Sequence, residues 1–494
     1  MNTNQTGISS EQTKKNLWFF PLGTLGRDMM YNLFTNFILL YVLFTHQLTA
    51  AQLMAITVIM VVARVFDAFN DPIMGNIIER TRTRWGKFKP WMLIGILTTS
   101  IVIYLAFNVK LQGWPFVIFF AIIYLCYSIT YTMHDISYWG IVPSLGKDSS
   151  LRDKFTSRTN LCAGIGGALA SMLIPIFTTG TNAIGGNAQT AYGVVALIIA
   201  VLGPALMCFT IFGVKEDRSY MNNPAPKVSF KKIINTIKNN DQLLWITIIF
   251  LIQQIGNGLV AGGIGSTYIY FAFGYEGGLY TIFNTIGLLA TAVLMITYPT
   301  IAKKTKRKSL MKTMLIVSLI GYALMLLVGL ILPNTMVKFW VITIMSMAAN
   351  LGNYCYYLVM MISILNTVEY NEYLHGERDD GIIASVRPFM TKLGSAFVVL
   401  ITTLSYLACG VTKYTNQISD IEQQANLGQI TEEIKMSQIG NVIGNVSTLQ
   451  TSGLLIVMTV IPAVLMIVCY VLYMKKYKLD EDEYDRIIDE LAKR

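Results

Sequence analysis

Twelve long apolar runs shape the sequence of 494 residues and limit what it can fold into. An α-helix needs about 20 mostly apolar residues to cross the hydrocarbon of a bilayer, and every run reaches that length. Only 13% of the residues are charged, against about 25% in soluble domains. We therefore predict an all-α membrane protein with twelve transmembrane helices. The predicted helices span 17–46, 52–78, 89–109, 115–143, 156–179, 190–214, 241–273, 279–302, 309–332, 336–368, 381–410 and 449–474.

The loops between these runs alternate in charge. The stretches RTRTRWGKFKP at 80–90 and KKTKRK at 303–308 follow the second and eighth runs, whereas the loops at 47–52 and 180–191 carry no Lys or Arg. Because basic loops stay on the cytoplasmic side, the even-numbered loops and both chain termini are predicted to be cytoplasmic. Membrane orientation then explains the net charge of +10, and no nucleic-acid partner is expected.

The chain divides into two predicted bundles of six helices each. The basic connection at 215–240 is expected to be a cytoplasmic linker between an N-terminal bundle at 1–214 and a C-terminal bundle at 241–494. Each half carries a basic cluster after its second helix, which favours an internal repeat, although the positive-inside rule alone could produce the same pattern. The polar segment at 411–450 is predicted to be an external loop with one short surface helix.

The sequence lacks the motifs of an enzyme. Its six cysteines show no CxxC spacing, and its three histidines form no cluster. No nucleophile–base pair or nucleotide-binding loop is recognisable in the sequence. We therefore predict no catalytic residue and no cofactor. The lipid bilayer is an expected partner, and we infer no obligate protein partner.

Ionisable residues inside an apolar run are expected to face a cavity, because a charge at the bilayer centre costs at least about 2.5 kcal/mol. Asp67, Asn70 and Asp71 lie at positions i, i+3 and i+4 and so share one helix face. Arg64 lies three residues earlier on the same stripe. Two carboxylates and an amide oxygen suit Na⁺ or a shared proton. The alternative is a salt-bridge network, such as Arg64 with Asp67, that only ties helices together.

A second polar stripe lies in the fourth run. Thr132, Asp135 and Trp139 occupy positions i, i+3 and i+7 of one helix face. A carboxylate accepts hydrogen bonds from sugar hydroxyls, an aromatic ring covers the apolar face of a pyranose, and Arg158 can donate to the same hydroxyls. This pattern favours a sugar site, although Trp139 taken alone is equally typical of a membrane-interface anchor.

The charges inside the membrane balance in the sequence. Four basic residues oppose four acidic ones, which predicts a nearly neutral cavity suited to a neutral substrate. A cation would then bind by displacing a Lys or Arg from a carboxylate. The residues counted are Arg27, Arg64, Arg158 and Lys392 against Asp28, Asp67, Asp71 and Asp135.

These motifs resemble those of the glycoside–pentoside–hexuronide:cation symporters, a family within the major facilitator superfamily, and most of all its bacterial melibiose-carrying branch. The resemblance covers essentially the whole chain and implies a major facilitator fold in a bacterial cell membrane. The motifs that carry it are DAFNDPIMGNIIERTRTRWGKFKPW at 67–91, YTMHDISYWGIVPSL at 131–145, NTVEYNEYLHGER at 366–378 and TKLGSAF at 391–397.

The resemblance also implies roles for individual residues. The cation site, for Na⁺, Li⁺ or H⁺, corresponds to Asp67, Asn70, Asp71 and Thr132. The sugar-binding set corresponds to Arg27, Asp28, Asp135, Trp139, Arg158, Tyr357 and Lys392, of which Lys392 also lies near the family's cation site. One departure is Pro388, which stands where the family has a threonine and removes a hydroxyl.

We therefore expect a symporter that imports a glycoside, oligosaccharide or related sugar with Na⁺ or H⁺ by alternating access. The sugar is expected to bridge the two bundles. Two other functions stay open: transport of a lysolipid or another amphiphile on the same fold, and sugar sensing without transport. Because the last run is followed by only a short tail to Arg494, we expect no regulatory domain there.

Overall fold

The computed structural model describes residues 9–145, 149–216, 230–377 and 379–493. Within these ranges the protein is helical, and its only β-type pairing is an isolated bridge between Thr83 and Gly86. Twelve helical segments are long and apolar enough to cross a membrane, which confirms the predicted number. The cytoplasmic placement of the two termini stays a prediction.

The helices are numbered in chain order. They are α1 (Ser10–Asn32), α2 (Ile38–Thr45), α3 (Ala50–Arg80), α4 (Lys89–Asn108), α5 (Gly113–Gly140), α6 (Ser149–Thr178), α7 (Ala188–Gly213), α8 (Phe230–Asn239), α9 (Asp241–Ala261), α10 (Gly263–Phe273), α11 (Gly277–Ala302), α12 (Arg307–Ile331), α13 (Met336–His375), α14 (Asp380–Cys409), α15 (Thr412–Asn426), α16 (Glu432–Gly444), α17 (Thr448–Lys476) and α18 (Glu481–Leu491).

The chain forms two compact units. The first contains Met1–Lys227 and Thr415–Ile439, and the second contains Val228–Tyr414 and Gly440–Arg494. The predicted boundaries assign 415–439 to the C-terminal bundle, so the structure departs from them at this segment. Three parts of the predicted cytoplasmic regions, which are Lys147, the linker centre at 217–229 and Arg378, lie outside the described residues.

The first span begins at Ser10, well before the predicted start at residue 17. Ser9 caps the helix by accepting a hydrogen bond from the N–H of Gln12. Asn16 is fully buried and exchanges two hydrogen bonds with the backbone of Lys215, at 2.7 and 3.0 Å. The hydropathy pattern did not predict the first turns of α1, because their residues are polar. A π-helical turn, Leu33–Phe37, then joins α1 to α2.

The seventh span, predicted as one helix at 241–273, is broken between α9 and α10. The break falls at Gly262, whose backbone is extended (φ −88°, ψ −158°). Breaking a helix inside a membrane frees carbonyl groups that need another donor. Tyr406 supplies one, since its hydroxyl lies 2.5 Å from the carbonyl oxygen of Gly263 and 2.7 Å from Thr267 Oγ1.

Most helix pairs that pack together are the same in the two units, although α9 also packs against α13 in the second unit without a comparable contact in the first. In the first unit, α1 packs against α6 and α7, α3 against α5, and α4 against α5 and α7. In the second, α9 packs against α14 and α17, α11 against α13, and α12 against α13 and α17. When the helices are numbered as transmembrane spans within each half, the same five pairs of spans pack together in both halves. This equivalence supports the internal repeat over a chance pattern of loop charges.

The segment Thr415–Ile439, which we call the strap, is inserted in the sequence of the second unit but belongs to the first. It forms most of α15 and α16, whereas the sequence predicts one short surface helix. Hydropathy misses both helices because few of their residues are apolar. Two of these apolar residues, Ile418 and Ile439, are fully buried and therefore contribute to packing.

Hydrogen bonds attach α15 to the loop that follows α2. Asn416 exchanges two of them with the backbone of Leu48, donating to its oxygen at 2.8 Å and accepting from its N–H at 3.0 Å. Asp420 accepts from the side-chain amide of Gln47 at 2.7 Å. The strap is therefore held at defined backbone positions of the first unit.

A fully buried ion pair attaches the strap to the start of α7. Lys435 Nζ lies 3.9 Å from Glu422 Oε1, and both side chains are 0% exposed. Glu422 accepts the N–H of Ala188 at 2.7 Å, and Lys435 donates to the carbonyl of Gly186 at 2.8 Å. These backbone partners, and the positive end of the α7 dipole, offset the cost of removing both charges from water.

Replacing Lys435 with Met is expected to destabilise the protein, because removing one partner of a buried pair costs roughly 3–5 kcal/mol. The measurement is the melting temperature of the purified protein in detergent. Lys413→Met makes the same change at an exposed position and should melt like the wild type. Adding Glu422→Gln to Lys435→Met should recover part of the loss. Equal melting temperatures for Lys435→Met and the wild type would contradict the buried pair.

Candidate functional site

Three helices of the first unit carry six of the eight charged residues predicted to lie inside the membrane. Their side chains form two groups, one where α5 packs against α3 and one between α5 and α1. The residues are Arg27 and Asp28 on α1, Arg64, Asp67, Asn70 and Asp71 on α3, and Ser128, Thr132, Asp135 and Trp139 on α5.

Side chains of α3 and α5 meet in a row of hydroxyl–carboxylate contacts. Thr132 Oγ1 donates to Asp71 Oδ1 at 3.0 Å, and one turn earlier Ser128 Oγ donates to Asp67 Oδ1. Asn70 Nδ2 lies 3.5 Å from the carbonyl oxygen of Ser128. The structure thus brings together the four residues predicted to bind the cation and adds Ser128 to them.

Arg64 faces this row from α3. Its Nη1 lies 3.6 Å from Asp67 Oδ2, which is an ion pair but too long for a good hydrogen bond. Its guanidinium lies over the ring of Tyr124, 5.9 Å from the centroid. The Arg64–Asp67 pair considered as the alternative from the sequence is therefore present. The second carboxylate, that of Asp71, accepts a hydrogen bond from Thr132.

The second group is built around a buried guanidinium. Arg27 donates to Asp28 Oδ2 from Nη2 at 2.8 Å and from Nε at 3.1 Å, and to Asp135 Oδ1 from Nη1 at 3.0 Å. The Arg27 side chain is 5% exposed, whereas those of Asp28 and Asp135 are 20% and 33% exposed. One arginine therefore ties α1 to α5 and leaves part of each carboxylate accessible.

Two aromatic rings complete this group. The Arg27 guanidinium lies 5.1 Å from the ring centre of Tyr138 and 5.4 Å from that of Trp139. Tyr138 is fully buried and donates to the carbonyl of Phe20 at 2.5 Å. Trp139 is only half-buried, so its ring lies beside the two carboxylates with one part still accessible.

Arg158, predicted as a sugar ligand, lies apart from the Arg27 group. It is exposed, donates to the carbonyl of Leu17 at 3.3 Å, and lies over the ring of Trp18 at 5.2 Å. Leu17 precedes Arg27 on α1 by ten residues, which is about 15 Å along a helix. A sugar-binding role for Arg158 therefore stays a prediction.

The predicted neutral charge balance stays a prediction. Arg158 lies apart, and Lys392 belongs to the second unit. The two groups of the first unit hold the guanidiniums of Arg27 and Arg64 against four carboxylates.

Two predicted sugar ligands lie in the second unit. Tyr357 on α13 stacks on Tyr354 with ring centres 5.7 Å apart, and its hydroxyl accepts from Arg387 Nη1 at 3.3 Å. Lys392 lies on α14 and is half-buried. The sequence reasoning missed Arg387, although its position beside Pro388, inside an apolar run, was a usable signal. Sugar-binding roles for Tyr357 and Lys392 stay predictions.

The row on α3 and α5 has the donor atoms of a site for a small hard cation. Within the described ranges, no three His, Cys, Asp or Glu side chains are arranged to hold a metal ion. A cation there would use two carboxylates with hydroxyl and amide oxygens, a set that suits Na⁺ or Li⁺ better than a transition metal. The sequence reasoning missed Ser128, which lies one turn before Thr132 on the same face.

Comparison with known proteins identifies the family. The family model described as "MFS/sugar transport protein" matches residues 19–481, and the chain belongs to that family. This confirms the family recognised from the sequence motifs. The chain is thus a multi-pass cell-membrane protein of a sugar-transport family.

Two relatives have names that refer to sugars. The chain is 30% identical to a lactose permease of Leuconostoc lactis, over 76% of this chain and 60% of the relative. It is 28% identical to a raffinose carrier protein of Pediococcus pentosaceus, over 80% of this chain and 63% of the relative. The chain thus spans somewhat less than two thirds of the length of these relatives.

A similar solved structure supports the fold. It is a bacterial homolog of the human lysosomal transporter Spinster, with a TM-score of 0.61 and 12% identity, covering 95% of this chain and 99% of that one. At this identity the similarity speaks for a common fold alone.

Replacing Arg27 with Met is expected to destabilise the protein, because Asp28 and Asp135 would keep their negative charges without the buried cation between them. The loss is roughly 3 kcal/mol or more, and adding Asp28→Asn should restore part of it. Melting temperatures in detergent test this. Arg158→Met makes the same change at an exposed position and should have little effect. A similar decrease in both variants would contradict the central role of Arg27.

Proposed function

We propose that the protein imports a sugar, as a glycoside or oligosaccharide, together with Na⁺ or H⁺ by alternating access. The observation that carries this proposal is the double role of α5. Thr132 on this helix contacts a carboxylate of α3, and Asp135 contacts the buried arginine of α1. One helix therefore connects a group suited to a cation with a group suited to a sugar.

The cation binds at Asp67 and Asp71, with Asn70 and Thr132 as neutral ligands. The contacts of Thr132 with Asp71 and of Ser128 with Asp67 support the assignment, because they gather carboxylate and hydroxyl oxygens in one place. The burial of Asp67, with 4% of its surface exposed, strengthens any charge interaction there. The choice between Na⁺ and H⁺ depends on the relative affinity of these buried oxygen atoms for the two ions.

The sugar binds at Asp28 and Asp135 beside Trp139. The accessible edges of the two carboxylates support this, because ionised oxygens accept strong hydrogen bonds from hydroxyl groups. Trp139 then covers an apolar face of the sugar ring. Arg27 keeps both carboxylates in place. Arg158, Tyr357 and Lys392 belong to the proposed set by resemblance to the family. The sugar-transport description of the family supports a sugar as the cargo.

Coupling follows from the short distance along α5. Thr132 and Asp135 are three residues apart, or about 4.5 Å along the helix axis. A cation that draws Thr132 and Asp71 together fixes the position of α5 and thereby of Asp135. Each ligand then raises the affinity for the other by the same factor, as linkage requires.

Uptake into proteoliposomes tests the proposal. The panel contains labelled α- and β-galactosides, xylosides and glucuronides, each with a Na⁺ gradient, a proton gradient or neither. We expect one class of sugar to accumulate, and only with a cation gradient. Accumulation of a lysolipid but no sugar would transfer the function to amphiphile transport. Sugar binding without any uptake would indicate a sensor.

Asp135→Cys is expected to abolish sugar binding and leave cation binding intact, because the residue contacts the Arg27 group and not the α3 carboxylates. Isothermal titration with the transported sugar and with NaCl measures the two affinities separately. Asp153→Cys, the same change at an exposed position on α6, is the matched control. Normal sugar affinity in Asp135→Cys would show that the sugar site is assigned wrongly.

A further inference from the structure

Ser128 makes the same contact as Thr132, one turn earlier along the helices. Ser128 Oγ donates to Asp67 Oδ1, and Thr132 Oγ1 donates to Asp71 Oδ1. The two hydroxyls are four residues apart on α5, and the two aspartates are four residues apart on α3. The result is a ladder with two equivalent rungs, and neither the sequence motifs nor the family resemblance assigns a role to its Ser128 rung.

The Ser128 rung contains the more buried of the two carboxylates. Asp67 is 4% exposed, whereas Asp71 is half-buried. A buried polar group needs a hydrogen-bond partner. Arg64, at 3.6 Å from Oδ2, contributes its charge but no good hydrogen bond. Ser128 therefore makes the direct hydrogen bond to Asp67, and it does so without adding a positive charge.

That difference matters for the choice of ion. The Ser128 hydroxyl oxygen that contacts Asp67 keeps lone pairs that can coordinate a metal cation. It therefore adds a ligand for Na⁺ or Li⁺, whereas a proton needs no coordination shell of several oxygens. The charged and titratable groups around this position are Arg64 and Asp71 on α3. Tyr31 faces Arg64 from α1, and Tyr124 and Tyr127 face it from α5.

We propose that Ser128 determines ion specificity, favouring Na⁺ or Li⁺ over H⁺ as the coupling ion. This proposal rests on the function proposed above. It makes Ser128 a ligand and positioning residue of the cation site, in addition to Asp67, Asn70, Asp71 and Thr132. An alanine at this position would leave two carboxylates with one hydroxyl and would shift the balance toward the proton.

The first test measures Na⁺ and Li⁺ binding directly, as the rise in melting temperature of the detergent-solubilised protein when NaCl or LiCl replaces choline chloride. Ser128→Ala should need about tenfold more Na⁺ for the half-maximal rise, the effect expected for loss of one hydrogen bond to a charged group. Ser128→Thr keeps the hydroxyl and should stay close to the wild type. Ser137→Ala is the matched control, because the Ser137 hydroxyl bonds only to its own helix, at Met133 O.

The second test measures uptake of the transported sugar. Ser128→Ala should show the same tenfold rise in half-saturating Na⁺, an unchanged KM for sugar at saturating Na⁺, and uptake that is still driven by a proton gradient. A merely structural role would lower uptake under both gradients alike. A Na⁺ response equal to that of the wild type or of Ser137→Ala would overturn the proposal.

The two tests separate the two proposals. In one outcome, Na⁺ stabilises the wild-type protein and Ser128→Ala shows the tenfold change, but no sugar is transported. That outcome would support the role of Ser128 and contradict the proposed function. Wild-type protein that transports sugar but binds neither Na⁺ nor Li⁺ would overturn the role of Ser128 and leave sugar transport with proton coupling.

Discussion

The ionic contact between Arg27 and the carboxylates of Asp28 and Asp135 is the interaction on which the site depends. A charge buried among apolar helices is tolerated only with partners, and this guanidinium has two, on two different helices. The contact fixes α5 against α1. The hydroxyl ladder fixes the same helix against α3. Because α5 is held on both sides, a shift caused at one group is transmitted to the other.

The sequence predicted much of this arrangement because a membrane requires long apolar spans and makes charged residues rare within them. Apolar length predicted the twelve spans, and the rarity of charge in such spans singled out Asp67, Asp71 and Asp135. The same reasoning could not predict Ser128, since a serine costs little in a membrane helix and is not conspicuous in hydropathy. It also counted Arg158 among the charges of the cavity, because helical spacing predicts faces within one helix but not depth relative to another. The α3–α5 contacts required the structure.

The two units have equivalent helix pairs but different polar contents. In the first unit, a duplicated architecture holds two charge groups that share α5. In the second, the corresponding inner helix, α13, contributes Tyr357, whose hydroxyl is held by Arg387. A repeated fold thus sets where helices meet, while the choice of polar residues differs between the repeats. Sequence patterns could indicate the duplication, but a contact such as Tyr357 with Arg387 joins two helices and required the structure.

The strap gives the two units an unequal order of completion. Its residues Thr415–Ile439 are synthesised only after the helices α8 to α14 of the second unit, yet they supply partners for the start of α7 in the first. Until then, the N–H of Ala188 and the carbonyl of Gly186 lack their native partners. During translation the first bundle therefore lacks the strap until the helices α8 to α14 have been synthesised. A gene divided at the central linker would yield an N-terminal fragment without its own last segment, so the two natural halves are not interchangeable modules.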